Sequence, residues 1–139
     1  MSGGSPSCCR YHSISGSTQL STFGVGTSGT VAQWPGGTQD SVWFGGTTDI
    51  IAADGARVRY ANLQLLGDGV WNLGAQRVAV GRNADVITLN TEVGSKVTKL
   101  GVDVQMSGIG GSSLLLGLTA AGDEQMIDIN TVQDLASDH

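Results

Sequence analysis

From Asp40 onward, short apolar runs alternate with turn residues about every 8–12 residues, which is the spacing of strands in a compact β-domain. The clearest run covers 100–106, where every second residue is apolar and the residues between are small or polar. Strict alternation is the period of a β-strand that has one buried face and one face in water. The pattern therefore predicts many short strands.

Two Asp-Gly pairs, Asp54-Gly55 and Asp68-Gly69, mark turns on either side of the run 57–66. Asp-Gly supplies the positive φ that tight hairpin loops need, so we expect 57–66 to pair antiparallel with the next run, 70–80. In both runs the apolar residues change parity partway along, which is typical of a β-bulge or of a strand that crosses between sheets. Trp71, in the second run, is expected to lie in the core.

The predicted fold is an all-β, antiparallel β-sandwich of jelly-roll type over residues 39–139, because roughly eight short strands with a parity change fit two packed sheets. Glycine interrupts nearly every window up to Gly122, which disfavours helices there. A short terminal helix is predicted over 131–137, where Asn130 and Gln133 resemble a capping box. A parallel β-solenoid is the alternative fold, and the absence of a fixed repeat period disfavours it.

Residues 1–38 are predicted to form an extended N-terminal arm. They contain 21 Gly, Ser and Thr residues, and Arg10 is their only formally charged side chain. Such a segment does not build its own core, so the domain boundary is placed after residue 38. We expect the arm to become ordered on a partner, with a disordered tail as the alternative. The candidate partner-binding residues are apolar residues of the arm and one tryptophan beyond it: Leu20, Phe23, Val25, Val31, Trp34 and Trp43.

Charge and length limit the classes of partner. The chain has 139 residues, with 7 Lys and Arg against 12 Asp and Glu, and no Lys or Arg after Lys99. An acidic surface repels phosphates, so neither nucleic acid nor an anionic membrane is an expected partner. No apolar run approaches the roughly 20 residues of a membrane span, and the first residues show no basic segment followed by an apolar one, so a secretory leader is not expected. We therefore expect a cytosol-like compartment.

The motifs that could carry chemistry each lack a necessary part. Residues 24–29 match the dinucleotide fingerprint G-x-G-x-x-G, but neither an apolar strand before it nor a helix after it is predicted. Cys8, Cys9 and His12 could bind a metal ion, but a structural zinc site needs four ligands. Both histidines lie near the termini, so a Ser/His/Asp triad is not expected. The sequence therefore predicts no cofactor, no metal site and no enzymatic activity.

The Ser/Gly/Thr arm of 1–38, followed by the glycine-punctuated strands of 40–130, resembles the cement or decoration proteins of tailed-bacteriophage capsids. The resemblance implies a viral structural protein on the capsid exterior of the virion, assembled in the host cytoplasm. It also implies a homo-oligomer, a dimer or trimer, that clamps neighbouring subunits of the major capsid protein. The alternative function is a carbohydrate- or receptor-binding β-sandwich module of a tail fibre or lectin.

Overall fold

The computed structural model describes the backbone of residues 9–14, 18–25, 28–35, 42–122 and 124–135, and the side chains of 43–122 and 124–135. The ten elements in these ranges are all β-strands. In chain order they are β1 Cys9–Ile14, β2 Thr18–Val25, β3 Ser28–Pro35, β4 Val42–Ala52, β5 Arg57–Gln64, β6 Val70–Val80, β7 Asp85–Glu92, β8 Val97–Met106, β9 Ser112–Thr119 and β10 Met126–Asp134. None of the described segments is a helix that could cross a membrane.

The strands form a parallel β-solenoid. The odd-numbered strands make the first sheet, in the order β1-β3-β5-β7-β9, and the even-numbered strands make the second sheet, in the order β10-β8-β6-β4-β2. Every pairing between these neighbours is parallel. Consecutive strands therefore lie in opposite sheets, and each turn of the solenoid adds one strand to each sheet.

The prediction of an antiparallel jelly-roll sandwich is wrong, and the alternative, a parallel β-solenoid, is the observed fold. Asp54-Gly55 does form a turn, with Gly55 at a φ of 71°. That turn carries the chain from β4 in the second sheet to β5 in the first, instead of to a neighbouring strand. Turn chemistry and alternation are compatible with both folds, because alternation shows only which face of a strand is buried.

The repeat of the solenoid varies in length, which explains why the sequence shows no fixed period. Val42 lies opposite Val70, an offset of 28 residues, and Trp71 lies opposite Val97, an offset of 26. Val97 in turn lies opposite Met126, an offset of 29. The loops between the strands differ in length and absorb the difference.

The apolar core lies inside the solenoid, toward the edge at which the strands β4, β6 and β8 have their C-terminal ends. Inward residues stack in register from turn to turn, as Ile50, Val78 and Val104 do across the second sheet. Each of these three is at most 1% exposed. Branched side chains suit such positions because they pack well on a pleated surface. The buried apolar cluster comprises Ile50, Ala52, Ala56, Val58, Tyr60, Val78, Val80, Ala84, Val86, Leu100, Val102 and Val104.

Two further predictions concern the ends of the chain. β10 continues to Asp134, so the predicted helix over 131–137 is wrong for 131–134. In the region of the predicted arm, β2 pairs with β4 and β3 pairs with β5. The division of the chain after residue 38, and the ordering of an arm on a partner, stay predictions.

Candidate functional site

The interior of the solenoid changes from apolar to polar along the strands. Toward the loops 65–69 and 93–96, the inward positions are mainly amides, hydroxyls and one carboxyl group. Buried polar groups are costly unless hydrogen bonds replace those lost to water. The stability of this polar edge of the solenoid therefore depends on specific polar contacts. The buried polar residues are Gln64, Asn72, Gln76, Thr88, Asn90, Thr91, Glu92, Ser95 and Thr98.

Gln64 ties the two loops at this end together. Its Oε1 accepts hydrogen bonds from Leu66 N and Gly94 N, both at 3.0 Å. Its Nε2 donates to Gly94 O at 3.3 Å and to Thr98 Oγ1 at 3.0 Å. Ser95 Oγ lies 3.2 Å from the same nitrogen and also accepts from it. Gln64 is only 1% exposed, so these bonds take the place of the hydrogen bonds that its amide group would make with water. They hold both loops against the strands.

Glu92 is the one carboxyl group buried in this interior. It is the last residue of β7 and lies beside Gln64 of the neighbouring strand β5 in the first sheet. It is 1% exposed. Its oxygens accept hydrogen bonds from Asn62 Nδ2 at 3.3 Å and from Asn72 Nδ2 at 3.4 Å. Burial raises the pKa of Glu92 to about 7, because a low-dielectric surrounding disfavours the charged form.

A cavity of about 50 Å³, which we call the polar chamber, lies between the two sheets beside Glu92. It has room for water or a small ion. Gln76 Nε2 is buried and has no hydrogen-bond partner among the described residues. Thr88 Oγ1 and Asn90 Oδ1 on β7 are likewise buried and without such a partner. Burial raises the pKa of Tyr60, another lining residue, to about 12. The chamber is lined by Phe44, Gly46, Thr48, Tyr60, Asn62, Gln64, Asn72, Gly74, Ala75, Gln76, Glu92 and Leu100.

An aromatic pair lies on the outside of the second sheet. The rings of Trp43 and Trp71 stack with their centroids 5.0 Å apart and their planes at 27°. Trp43 is 60% exposed and Trp71 is 38% exposed, so the prediction that Trp71 lies in the core is wrong. Met126, two strands further along the same register, is also exposed. Exposed tryptophans of this kind are typical anchors of protein interfaces.

The six predicted partner-binding residues do not share one sheet. Leu20, Phe23 and Val25 lie on β2 and Trp43 on β4, so these four belong to the second sheet. The other two, Val31 and Trp34, lie on β3 in the first sheet. Contact of these residues with a partner stays a prediction.

The described side chains do not assemble a metal site: within 43–122 and 124–135, no three His, Cys, Asp or Glu residues lie together in a way that could hold a metal ion. Of the three candidate metal ligands, Cys8, Cys9 and His12, Cys8 lies outside the described residues, and the other two belong to β1 at the edge of the first sheet. The G-x-G-x-x-G match at 24–29 ends in β3, a strand, whereas a dinucleotide site needs a helix there.

The polar chamber was missed by the sequence analysis, although the sequence carried a signal of it. In β5 and β6 the inward residues keep the same parity throughout, as the burial of Tyr60 and Gln64 shows for β5. The apparent change of parity arises because the inward residues become polar while apolar residues such as Leu65 and Leu73 face outward. The predicted bulge or crossing is therefore wrong, and the pattern marks the start of a polar interior.

Comparison with known proteins finds one family. The family model described as "SUF system FeS cluster assembly, SufBD core domain" matches residues 25–139, which is most of the chain. No curated protein and no solved structure matches the chain.

This match overturns the resemblance to capsid cement proteins. The two predicted functions, clamping of a capsid lattice and the tail-fibre or lectin alternative, are wrong. For the same reason, the prediction that a dimer or trimer binds a major capsid protein is wrong. The predicted location on the virion exterior is also wrong. The resemblance rested on a Ser/Gly/Thr arm and glycine-punctuated strands, and a parallel β-solenoid produces the same character through its short strands and tight turns.

Proposed function

This chain belongs to the SufBD core-domain family, and we propose on that premise that it is a scaffold component of FeS cluster assembly in the SUF system. The observation that carries the proposal is the family match over 25–139, which covers the strands β3 to β10 of the parallel β-solenoid. In this role the protein binds and positions other components and is not itself an enzyme.

A stacked solenoid is well suited to a scaffold. Each turn is hydrogen-bonded to the next along both sheets, so groups on the outer surface keep fixed distances from one another. The exposed pair Trp43 and Trp71 gives this surface a rigid aromatic contact for another subunit.

The cluster itself is the cargo of this function. FeS clusters are usually held by four cysteine thiolates, and the sequence has two cysteines, Cys8 and Cys9. A cluster bound through these two thiols therefore needs further ligands that are not cysteines of this sequence. We propose that assembly takes place in a complex and not on this chain alone.

The test is cluster formation under anaerobic conditions from Fe²⁺ and sulfide, with the full chain and the other SUF components of the same source. Visible absorption of the cluster and the iron and sulfide bound per protein are measured. We expect the yield to fall when the chain is left out and to recover when it is added back. The double variant Cys8→Ser/Cys9→Ser tests the thiols, and Glu124→Gln, an exposed change, is the control. Equal yields with and without the chain would contradict the proposal.

A further inference from the structure

Glu92 is a carboxyl group enclosed in the solenoid without a cation beside it. The ion pairs among the described side chains are Arg59–Asp85, Arg82–Asp54 and Lys99–Asp128, and all of them lie at the surface. The groups that bind Glu92 are instead the neutral amides of Asn62 and Asn72. A negative charge on Glu92 is therefore stabilised by hydrogen bonds alone.

The elements around Glu92 bring almost no other titratable group to face it. Tyr60 on β5 lines the same chamber, and its raised pKa of about 12 keeps it neutral at physiological pH. β9 contains no titratable residue. The charged residues of the neighbouring strands alternate with the inward residues and so face outward, and those of the loops are exposed: Asp49 on β4, Arg57 and Arg59 on β5, Asp68 after β5, Arg77 on β6, Asp85 on β7, Lys96 before β8, and Lys99 and Asp103 on β8.

The surroundings of Glu92 can accommodate the neutral acid. Its carbonyl oxygen can accept from one of the two amides, and its hydroxyl can donate toward water in the polar chamber. Ionisation removes that donor and adds a buried charge, for which the two amides are the only protein donors shown, so water entering the chamber stabilises it further. Gln76 Nε2, which lines the chamber without a partner among the described residues, is ready to donate to such water.

We propose that Glu92 is a proton-binding site that makes the stability of the polar edge of the solenoid, formed by the loops 65–69 and 93–96, depend on pH near neutrality. In the protonated state the chamber stays closed, and Gln64 holds the loops 65–69 and 93–96. In the ionised state water enters beside Glu92, and these loops loosen. The inference goes beyond the proposed role in cluster assembly and does not depend on it.

The direction of the pH effect follows from the pKa of Glu92, which is raised from its ordinary value of 4.5 to about 7. The folded state holds a proton over this interval and the unfolded state does not. The contribution of protonated Glu92 to stability is therefore complete below about pH 4.5, falls as the pH rises toward 7, and is lost above it. The unfolding equilibrium constant should increase on the order of a hundredfold across this interval.

The experiment compares denaturant unfolding of the wild type, Glu92→Gln and Glu124→Gln at about pH 5 and about pH 8. We expect the wild type and Glu124→Gln, whose glutamate is exposed, to show the hundredfold change. Glu92→Gln, which keeps the shape of the neutral acid, should remove most of it. The same pH change in Glu92→Gln as in the wild type would overturn the proposal.

A second measurement on the wild type needs no variant and decides the question if Glu92→Gln does not fold. The carboxyl ¹³C shift of Glu92 should titrate near pH 7, and a titration near its ordinary value of 4.5 would overturn the proposal. Exchange of the amide protons of Leu66 and Gly94, which bind Gln64 Oε1, should accelerate on ionisation beyond its intrinsic dependence on pH. Unchanged protection of both amides would exclude the loosening of the loops.

Discussion

Replacing Gly94 by alanine should disrupt the polar edge of the solenoid, where Gln64 holds the loops 65–69 and 93–96 together. Gly94 lies in the loop between β7 and β8 and is buried. A Cβ atom added there would overlap the carbonyl oxygen of Leu66 and lie 2.5 Å from Leu66 N and 2.9 Å from Gln64 Oε1. Two of these three contacts are with backbone atoms, so no rotation of a side chain relieves the overlap.

The size of the effect follows from the hydrogen bonds that must move. Gly94 N donates to Gln64 Oε1 at 3.0 Å, Gln64 Nε2 donates to Gly94 O at 3.3 Å, and Ser95 N donates to Leu66 O at 2.8 Å. A buried hydrogen bond that loses its partner costs about 1–3 kcal/mol. Loss or strain of these three bonds should lower the free energy of unfolding by about 3–5 kcal/mol, a large part of the total stability of a small domain.

Urea unfolding, followed by far-UV circular dichroism, measures this loss. The matched control is Gly101→Ala, because Gly101 is exposed on β8 and an added Cβ there meets no atom within 4 Å. We expect that variant to lie within about 1 kcal/mol of the wild type or to be slightly more stable. If Gly94→Ala also lies within about 1 kcal/mol of the wild type, the loop is not held as described.

The other predictions concern the core, the aromatic pair and one surface carboxylate. Val78→Ala, at a position that is 0% exposed, should lower the free energy of unfolding by about 2 kcal/mol in the same urea assay. Trp43→Ala should cost about 1 kcal/mol or less, because Trp43 is 60% exposed, and should shift the fluorescence of Trp71 by removing the stacked ring. The backbone N–H and the guanidinium of Arg82 hold the pKa of Asp54 below its ordinary value of 3.8, so this contact stabilises the fold above that pH and is lost as the pH falls. Arg82→Ala should raise the pKa of Asp54 only partly, as measured by its carboxyl ¹³C shift, because the backbone N–H remains; a full return to 3.8 would contradict this assignment.

Local features of the fold could be predicted from the sequence, because each depends on a few neighbouring residues. The strict alternation over 100–106 identified β8 and its buried face, and the turn at Asp54-Gly55 is present. The all-β content follows from the glycines, which interrupt nearly every window that could form a helix. In each case the physical cause acts over a few residues of the chain.

The direction of strand pairing and the nature of the interior were decided only by the tertiary structure. A strand alternates between buried and exposed positions in the same way whether its neighbour is parallel or antiparallel, and loops of unequal length concealed the repeat. Trp71 faces outward and Gln64 inward because the even-numbered residues of both β5 and β6 face the interior, where each strand aligns with the neighbouring turn of its own sheet. Glu92 meets Asn62, Gln64 and Asn72 only after that winding, since each of the three lies 20 to 30 positions before Glu92 in the sequence. The polar chamber is therefore a property of the register between turns, which no single segment of the sequence contains.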